Sequence, residues 1–450
     1  MQGVDVEKMV GETEAFRGRK AAYYTLGCKL NYSETSTFGR LLKELGVEPV
    51  GRGEGADICL INTCSVTDVA DHKSRQAIRR MVRSHPGAIV VVTGCYAQLR
   101  PEEVVGIEGV DLVLGSEEKS RLLDYLLERW RRGKGEAESH TVRTKDIRSF
   151  VNSCSRGNRT RYFLKVQDGC DYYCTYCTVP YARGRSRNGS IDSLVEQARR
   201  VAAEGGKEIV ITGVNIGDFG KSTGESLLEL LRRLDAVEGI ERYRISSMEP
   251  DLISDDIIEA VAESRAIMPH FHIPLQSGSD AVLRLMGRHY DSSLFAEKVR
   301  KIKSRMKGAF IGVDVMVGSR GETREMFDET ERYLESLDVS QLHVFPYSER
   351  PGTAALRIEG KVSAAEKKSR GRRLLALSEE KRRQFYNNNI GGEALVLFER
   401  SGRGGSVRGF TENYIRVELS EGGKELDNEI RRVRLGGFSQ DGKSLLGTLI

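Results

Sequence analysis

The stretch DGCDYYCTYC (residues 168–177) decides how this chain is read. Cys170, Cys174 and Cys177 stand in the spacing C-x3-C-x2-C, three thiols within eight residues. They follow directly on residues 162–166, a short run of strand character. No fourth Cys or His lies nearby to close a tetrahedral zinc site. Iron–sulfur clusters are held by Cys thiolates, commonly four, so three local ligands imply a cluster with one iron left open to a small molecule. An incomplete zinc knuckle or unrelated buried thiols is the alternative that the spacing alone leaves open.

Working outward, strand candidates recur at 162–166, 208–212, 243–246, 270–274, 309–317 and 341–345, with helical spacing between them, as at 190–204 and 226–234. Strand alternating with helix means a parallel α/β architecture. Six such units predict a full or partial β/α barrel, whose chemistry sits at the carboxyl ends of its strands. Cys170 falls at the first of those ends.

The segment before it alternates in the same way. Strands are expected at 21–26, 57–62, 88–93 and 111–114, and helices at 34–45 and 67–82. Residues 88–93 are almost all β-branched, as a buried parallel strand tends to be. Residues 133–155 are polar and Gly-bearing and read as a linker. Three more cysteines belong here, Cys28, Cys64 and Cys95, separated by 36 and 31 residues. No local motif has that spacing, yet each follows a predicted strand. Open α/β sheets bind ligands at that edge, so the three thiols suggest a second three-ligand cluster. Three separately buried cysteines are the alternative. Cys59, inside a strand, and Cys154, in the linker, are spares.

The third segment starts with a basic helix, 363–385, followed by strands at 393–398, 414–418, 429–435 and 445–449 with Gly and polar turns between them. This is the pattern of a small all-β barrel. Domain limits are expected at 18–145, 156–380 and 384–450.

Composition sets outer bounds. The chain has 450 residues, 39% hydrophobic and 30% charged, with 8 Cys. It has no apolar run of about 18 residues, the length of a membrane span, and no apolar stretch at its start of the kind a secretory signal needs. The cysteines are therefore expected reduced, in a cytoplasm. The net charge of +5 is unevenly placed: residues 361–450 hold 18 Lys+Arg against 12 Asp+Glu. That tail suits a polyanion-binding module. The plainer alternative is a solvated helix face made of Lys367, Lys368, Arg370, Arg372 and Arg373.

C-x3-C-x-aromatic-C at the first strand end of a β/α barrel resembles the radical S-adenosylmethionine superfamily. The resemblance implies that Cys170, Cys174 and Cys177 hold a 4Fe–4S cluster whose fourth iron takes S-adenosylmethionine, with Tyr176 beside the adenine. It also places cofactor contacts at Gly213 and Asn215 in ITGVN, at Ser247 and Glu249 in RISSMEP, at Gln276 (with His272) in HIPLQSGSD, and at Asp314 in GVDVMVGSRGET. Alone, each of these strand ends is as readily structural.

The order of three-Cys domain, radical domain and small β-domain is similar to that of the methylthiotransferases. TLGCKLN, NTCSV, TGCYAQ, PYARGRSR and HVFPYSERPGT are further signature stretches, so the resemblance runs from about Lys20 to the C-terminus. It implies an α/β N-terminal domain, a partial (β/α)6 radical barrel and a C-terminal TRAM barrel. It implies two 4Fe–4S clusters, S-adenosylmethionine used twice, tRNA as partner, an external one-electron reductant of the flavodoxin or ferredoxin type, and no membrane. Three substrates occur in the family: threonylcarbamoyladenosine or isopentenyladenosine beside the tRNA anticodon, and an aspartate of a ribosomal protein. Lys29, after Cys28, and GFTENYIRVEL (residues 409–419) resemble the threonylcarbamoyladenosine group. A cation suits a carboxylate-bearing base, though one lysine in a loop could equally be solvated. Tyr414, Arg416, Arg431, Arg432 and Arg434 are then expected at the tRNA backbone. One departure stands out: Ser319-Arg320 replaces a usual Phe-Pro, adding charge near the expected cofactor pocket.

Overall fold

The computed structural model describes residues 13–51, 53–155, 160–399, 407–419 and 423–450; the expected domain limit at 156 lies outside them. Strands β1 (Lys20–Thr25), β2 (Glu48–Pro49), β3 (Ile58–Thr63), β4 (Ile89–Gly94), β5 (Leu112–Leu114) and β6 (Glu138–His140) form one parallel sheet in the order 2-1-3-4-5-6. Every residue of β3 and β4 is buried, because helices cover both faces of a parallel sheet. Ile61, Val90, Val92 and Tyr96 fill one face, and Phe38, Leu42, Leu60 and Val91 the other. The edge strands β2 and β6 are short and polar, so no hydrophobic pattern announced them. β6 lies inside the expected linker and is held by Arg129 and Arg132, both on Glu138.

The middle unit contains β7 (Ser153–Cys154), β8 (Arg161–Lys165), β9 (Gln167–Asp168), β10 (Arg187–Asn188), β11 (Glu208–Thr212), β12 (Arg242–Ile245), β13 (His270–Gln276), β14 (Phe310–Val317) and β15 (Gln341–Pro346). Parallel strands β8, β11 and β12 form one sheet, edged by antiparallel β7, and β13, β14 and β15 form another. Parallel bridges Tyr243–Ile267 and Ser247–His272 join the two. The result is a six-stranded partial barrel. Outward residues such as Leu164, Ile209, Ile211, Tyr243, Ile273 and Val313 pack under the helices. Strand alternation turns Arg161, Lys165, Glu208, Arg244, His272, Asp314 and His343 to the lumen.

Helix α1 (Lys29–Glu44) of the first unit lies against β8, where the Tyr32 ring meets Phe163 edge-on at 5.8 Å. The first helix of the third unit, α2 (Ala364–Asn387), begins at an N-cap, Ser363, whose side chain accepts from the Glu366 N–H. Lys368 and Arg372 are exposed on it, but other basic residues of the helix are engaged. Arg370 is buried against Glu322, Arg373 pairs with Asp328 and Glu331, and Lys381 bonds the carbonyls of Glu335 and Leu337.

The chain ends in a closed barrel, β16 (Glu393–Phe398), β17 (Val407–Thr411), β18 (Arg416–Leu419), β19 (Ile430–Phe438) and β20 (Leu445–Leu449), in the order 16-17-18-20-19. β17 escaped the sequence reading because Gly409 interrupts its apolar pattern; a Cβ there would meet the Leu397 carbonyl at 2.5 Å. The small barrel seats on the amino end of the large one. Arg242 donates to the carbonyls of Leu395 and Phe410, and Arg244 to those of Thr411 and Glu412, at 2.7–2.9 Å.

Candidate functional site

The first cysteine triad is built by the turns after β1, β3 and β4. Asn31, in TLGCKLN, knits two of them, its amide donating to the Leu26 and Thr63 carbonyls at 2.8 and 2.9 Å. The Thr63 hydroxyl knits the third, donating to the Thr93 carbonyl at 2.6 Å and accepting from the Ala97 N–H. Gly27 allows the close approach, since a Cβ there would lie 3.1 Å from the Cys64 Sγ. Gly94, at φ +102°, leaves no room for a Cβ either, 2.3 Å from the Thr63 carbonyl. Cys28, Cys64 and Cys95 are thus gathered at one edge, close enough to act on one another electrostatically. Burial pushes the Cys64 thiol up to about 11. It raises Cys95 as well, opposed by the charges of Arg183 and Lys119.

The second triad lies in the turn after β9. Gly169 sits at φ +73°, where a Cβ would fall 2.0 Å from the Arg185 carbonyl. Burial pushes Cys170 and Cys177 up to about 12. Arg288 donates to the Cys174 sulfur at 3.2 Å and to the Tyr176 hydroxyl at 3.4 Å, and forms an ion pair with Glu249. Burial lifts the Glu249 carboxyl to about 7 in spite of Arg288. Gln167 spans the neighbouring strand ends: its amide nitrogen bonds the Gly169 carbonyl at 2.7 Å, and its oxygen accepts from Val214 and Asn215 N–H groups at 2.9 Å. A Cβ at Gly213 would crowd the Ile216 side chain at 2.7 Å and the Gln167 oxygen at 2.9 Å.

Among the described residues no three His, Cys, Asp or Glu side chains are gathered to hold a single metal ion. All-thiol donor sets of three fit iron–sulfur clusters with an open iron. Asn215 supports a bound polar ligand beside Cys170: both its side-chain polar atoms are buried and unpartnered. A buried polar group of that kind is costly unless something binds it.

The two triads share a wall. The Thr178 hydroxyl donates to the Ser65 carbonyl at 3.3 Å, and Arg350 reaches from the barrel to Ser65 and Asp71 at 2.9 and 2.6 Å. Beneath them runs a buried ionic network. Glu34 pairs with Lys119 at 2.6 Å, Lys165 at 2.9 Å and Arg183 at 3.2 Å. Asp168 pairs with Lys165 at 2.6 Å, Arg183 at 2.8 Å and Arg187 at 3.4 Å. Arg183 also donates to the side-chain amide oxygen Oδ1 of Asn31 at 2.5 Å.

Lys29 extends toward the lumen. It is exposed by surface area, while desolvation by the surrounding protein and the charge of Arg161 lower its ammonium, with Cys28, Asp314 and Glu208 acting in the opposite direction. It forms no ion pair among the described residues. His272 bonds Asp314 at 2.7 Å and lies 5.0 Å from the His343 ring. Gln276 follows the bulge in β13, at φ +68°. Ser247 bridges to His272.

Two expectations are corrected. Tyr414 is not at an RNA-facing surface. Its ring stacks on Phe410 at 4.8 Å and lies tilted against His270 at 4.5 Å, and its hydroxyl accepts from Arg161. It plugs the amino end of the large barrel. Arg320 brings no free charge to the pocket, because it pairs with Glu349 at 2.8 Å and bonds two carbonyls. Arg416 is half-buried. Arg431, Arg432 and Arg434 are 50%, 62% and 61% exposed, in contact with Glu429 and Glu393. Arg183, Gln167 and Arg288 were missed. Only Arg183 left a signal, its place in the PYARGRSR signature.

Residues 20–115 match the family described as "Uncharacterized protein family UPF0004", and residues 164–334 the Radical SAM superfamily. The chain is 38% identical over 427 residues to the threonylcarbamoyladenosine tRNA methylthiotransferase MtaB of Bacillus subtilis, covering 92% of this chain and 93% of the relative. It is 40% identical over 415 residues to MtaB of Aquifex aeolicus, covering 92% and 99%. A tRNA-2-methylthio-N(6)-dimethylallyladenosine synthase of Geobacter sulfurreducens is 35% identical over 432 residues, 94% and 92%. Among solved structures, the radical S-adenosylmethionine methyltransferase TsrM of Kitasatospora setae, with cobalamin and a [4Fe-4S] cluster bound, superposes at TM-score 0.55 and 16% identity over 75% of this chain and 74% of that one. The cobalamin-dependent radical enzyme OxsB does so at 0.51 and 14%, over 83% and 58%. At these identities the likeness is one of fold.

Proposed function

Since the chain belongs to the radical S-adenosylmethionine methylthiotransferases, 38–40% identical to members over 92% of its length, we propose that it converts N6-threonylcarbamoyladenosine beside the tRNA anticodon to its 2-methylthio derivative. The observation that carries this reading is the Thr178–Ser65 contact, which brings two three-thiol sites to one interface. Cys170, Cys174 and Cys177 would hold one 4Fe–4S cluster, and Cys28, Cys64 and Cys95 a second, which serves the transferred sulfur. With S-adenosylmethionine bound, the first supplies one-electron cleavage of a sulfonium C–S bond, and so the power to take hydrogen from an unactivated C–H.

The chain's own residues bind and position. Asn215, with its unpartnered amide, and Glu249 offer polar contacts to the amino-acid end of S-adenosylmethionine, and Tyr176 an aromatic face. Gln167 ties the cluster turn to the Asn215 turn, so both move as one body. Tyr414, Arg242 and Arg244 close the far end of the lumen, leaving the substrate base to enter beside the clusters. Holding both reacting centres in one cavity replaces an encounter by a fixed geometry. Lys29 supports the threonylcarbamoyl substrate over the isopentenyl one, because an unpaired ammonium suits a carboxylate. Arg431, Arg432 and Arg434 offer exposed charge to the tRNA backbone. The electron comes from an external flavodoxin- or ferredoxin-type donor in the cytoplasm.

Mass spectrometry of tRNA nucleosides from a strain lacking this chain tests the reading. The 2-methylthio-threonylcarbamoyl nucleoside should disappear, and return on complementation. Its persistence, with loss of the isopentenyl derivative or of a methylthio group on a ribosomal protein, assigns the chain to another substrate. Iron binding without cleavage of S-adenosylmethionine would leave only an RNA-binding cluster protein.

A further inference from the structure

The buried network between the first two domains is not charge-balanced. Six ionic side chains take part, and each is almost wholly buried: Glu34 0%, Lys165 1%, Arg183 2%, Asp168 3%, Lys119 4% and Arg187 6% exposed. Two are carboxylates and four are cations. Among the described residues the four cations form ion pairs only with Glu34 and Asp168. Buried charge is costly unless paired, so a surplus of buried cations calls for negative charge close by. Two of the four cations are guanidinium groups, which stay charged.

The surplus is directed at one place. Arg183 Nη2 bonds the Asn31 side-chain oxygen Oδ1 at 2.5 Å, the same oxygen to which the Cys28 thiol points at 3.9 Å. Arg183 and Lys119 are also the cations that offset the burial of the Cys95 thiol. Three thiolates around an oxidised four-iron core make a net anion, and reduction adds a further negative charge. Hydrogen bonds to the sulfurs and the surrounding charge set the potential of such a centre.

We infer that Arg183, contributed by the radical domain, is a positioning residue for the Cys28–Cys64–Cys95 site, with Lys119 turning the surplus charge of the interface on that site so that it favours an anionic cluster and raises its reduction potential. The inference rests on the reading of these cysteines as cluster ligands. It gives the PYARGRSR segment a role: the radical domain completes the neighbouring domain's cluster site instead of merely facing it.

Arg183 can be replaced without stranding its partners. Glu34 keeps Lys119 and Lys165, and Asp168 keeps Lys165 and Arg187. The test uses the full chain with Cys170, Cys174 and Cys177 all changed to Ala, so that one cluster remains. After anaerobic reconstitution, iron content, the electron paramagnetic resonance spectrum and the midpoint potential are measured with and without Arg183→Gln. Iron should be retained, the potential should shift to lower values, and the spectrum should change; Arg183→Lys should restore most of the shift. If the background protein binds no iron, the reading of the ligands fails. If it binds iron and Arg183→Gln leaves potential and spectrum unchanged, the ligands stand and the role of Arg183 is overturned. Should Arg183→Gln fail to take up iron, Lys119→Met carries the same expectation, since Glu34 then keeps Lys165 and Arg183, and an unchanged potential there overturns it.

Discussion

The hydroxyl of Thr178, one residue beyond Cys177, donates to the carbonyl of Ser65, one residue beyond Cys64, at 3.3 Å. This contact makes the two cysteine sites one structure. A ligand change on one side of it should therefore have effects that separate cleanly from a change on the other. Cys174→Ala should abolish reductive cleavage of S-adenosylmethionine. Cys64→Ala should keep cleavage and lose methylthiolation altogether. Chromatography of 5′-deoxyadenosine and mass spectrometry of the tRNA nucleoside read the two outcomes. Methylthiolation surviving in Cys64→Ala would sink the two-site arrangement.

Gly169 gives a sharper local test. At φ +73°, with the Arg185 carbonyl 2.0 Å from where a Cβ would be, Gly169→Ala must displace the turn that carries Cys170. Loss of the radical cluster and retention of the other is expected, so that roughly half the iron remains. Gly133→Ala is the control. It has a similar φ of +76° but nothing within 4 Å, so it should show only the strain of a left-handed residue, about 1–2 kcal/mol, with full iron content in elemental analysis.

Much of this was legible in the sequence, and the limits are physical. The two cysteine triads could be placed because they stand in turns that follow strands whose apolar pattern is local. The buried strands β3 and β4 announced themselves for the same reason. What could not be read depends on partners far along the chain. Arg183 meets Glu34 and Asn31 about 150 residues away in sequence, and nothing in PYARG shows which side it faces. Tyr414 looked like a surface aromatic, yet it fills the end of a barrel formed some 250 residues earlier. The edge strands β2 and β6 have no apolar face to betray them. The basic residues of α2 were visible as charge, but their carboxylate and carbonyl partners were not.

The small barrel separates two kinds of basic residue. Arg431, Arg432 and Arg434 are exposed, whereas Tyr414 is held between domains. Changing the three arginines to Ala should weaken tRNA binding and reduce the slope of log affinity against log salt by about 0.7–0.9 per lost phosphate contact. Tyr414→Ala should leave that slope alone and lower the thermal midpoint, because it opens the domain interface. Salt-dependent binding assays and thermal unfolding tell them apart; a salt slope unchanged in the triple variant moves the tRNA path elsewhere.

The interface should also titrate in a defined direction. Burial alone would raise the Glu34 carboxyl, but Lys119, Lys165 and Arg183 hold it well below its usual 4.5. A carboxyl depressed on folding contributes stability that is present above its unfolded value and is lost as pH falls toward its folded value. Glu34→Gln removes that contribution and leaves buried cations short of a partner, at a cost of about 3–5 kcal/mol. The gap in unfolding free energy between wild type and Glu34→Gln should be constant above about pH 5 and narrow as the pH falls through 4.5 and below. Urea unfolding of the apoprotein across that range is the measurement. A gap that widens on acidification would mean Glu34 is not the ionised partner.

Lys29 offers the test of substrate choice. It follows Cys28, faces Asp314 and Glu208 across the lumen without an ion pair, and stands near His343, whose imidazole burial pushes below its usual value. A carboxylate on the incoming base would give the ammonium its missing partner. Charge-assisted hydrogen bonds of this kind contribute about 1.5–3 kcal/mol, or about ten- to hundredfold in affinity. Lys29→Met should therefore raise KM for an anticodon stem–loop bearing threonylcarbamoyladenosine by that factor, while binding of the unmodified stem–loop, iron content and substrate-free cleavage of S-adenosylmethionine stay unchanged. Lys29→Arg should recover most of the loss, since it keeps the cation. Were KM for the modified stem–loop indifferent to Lys29→Met while the wild-type protein still acts on it, the carboxylate would have to be bound elsewhere in the lumen, and His343 would be the next residue to change.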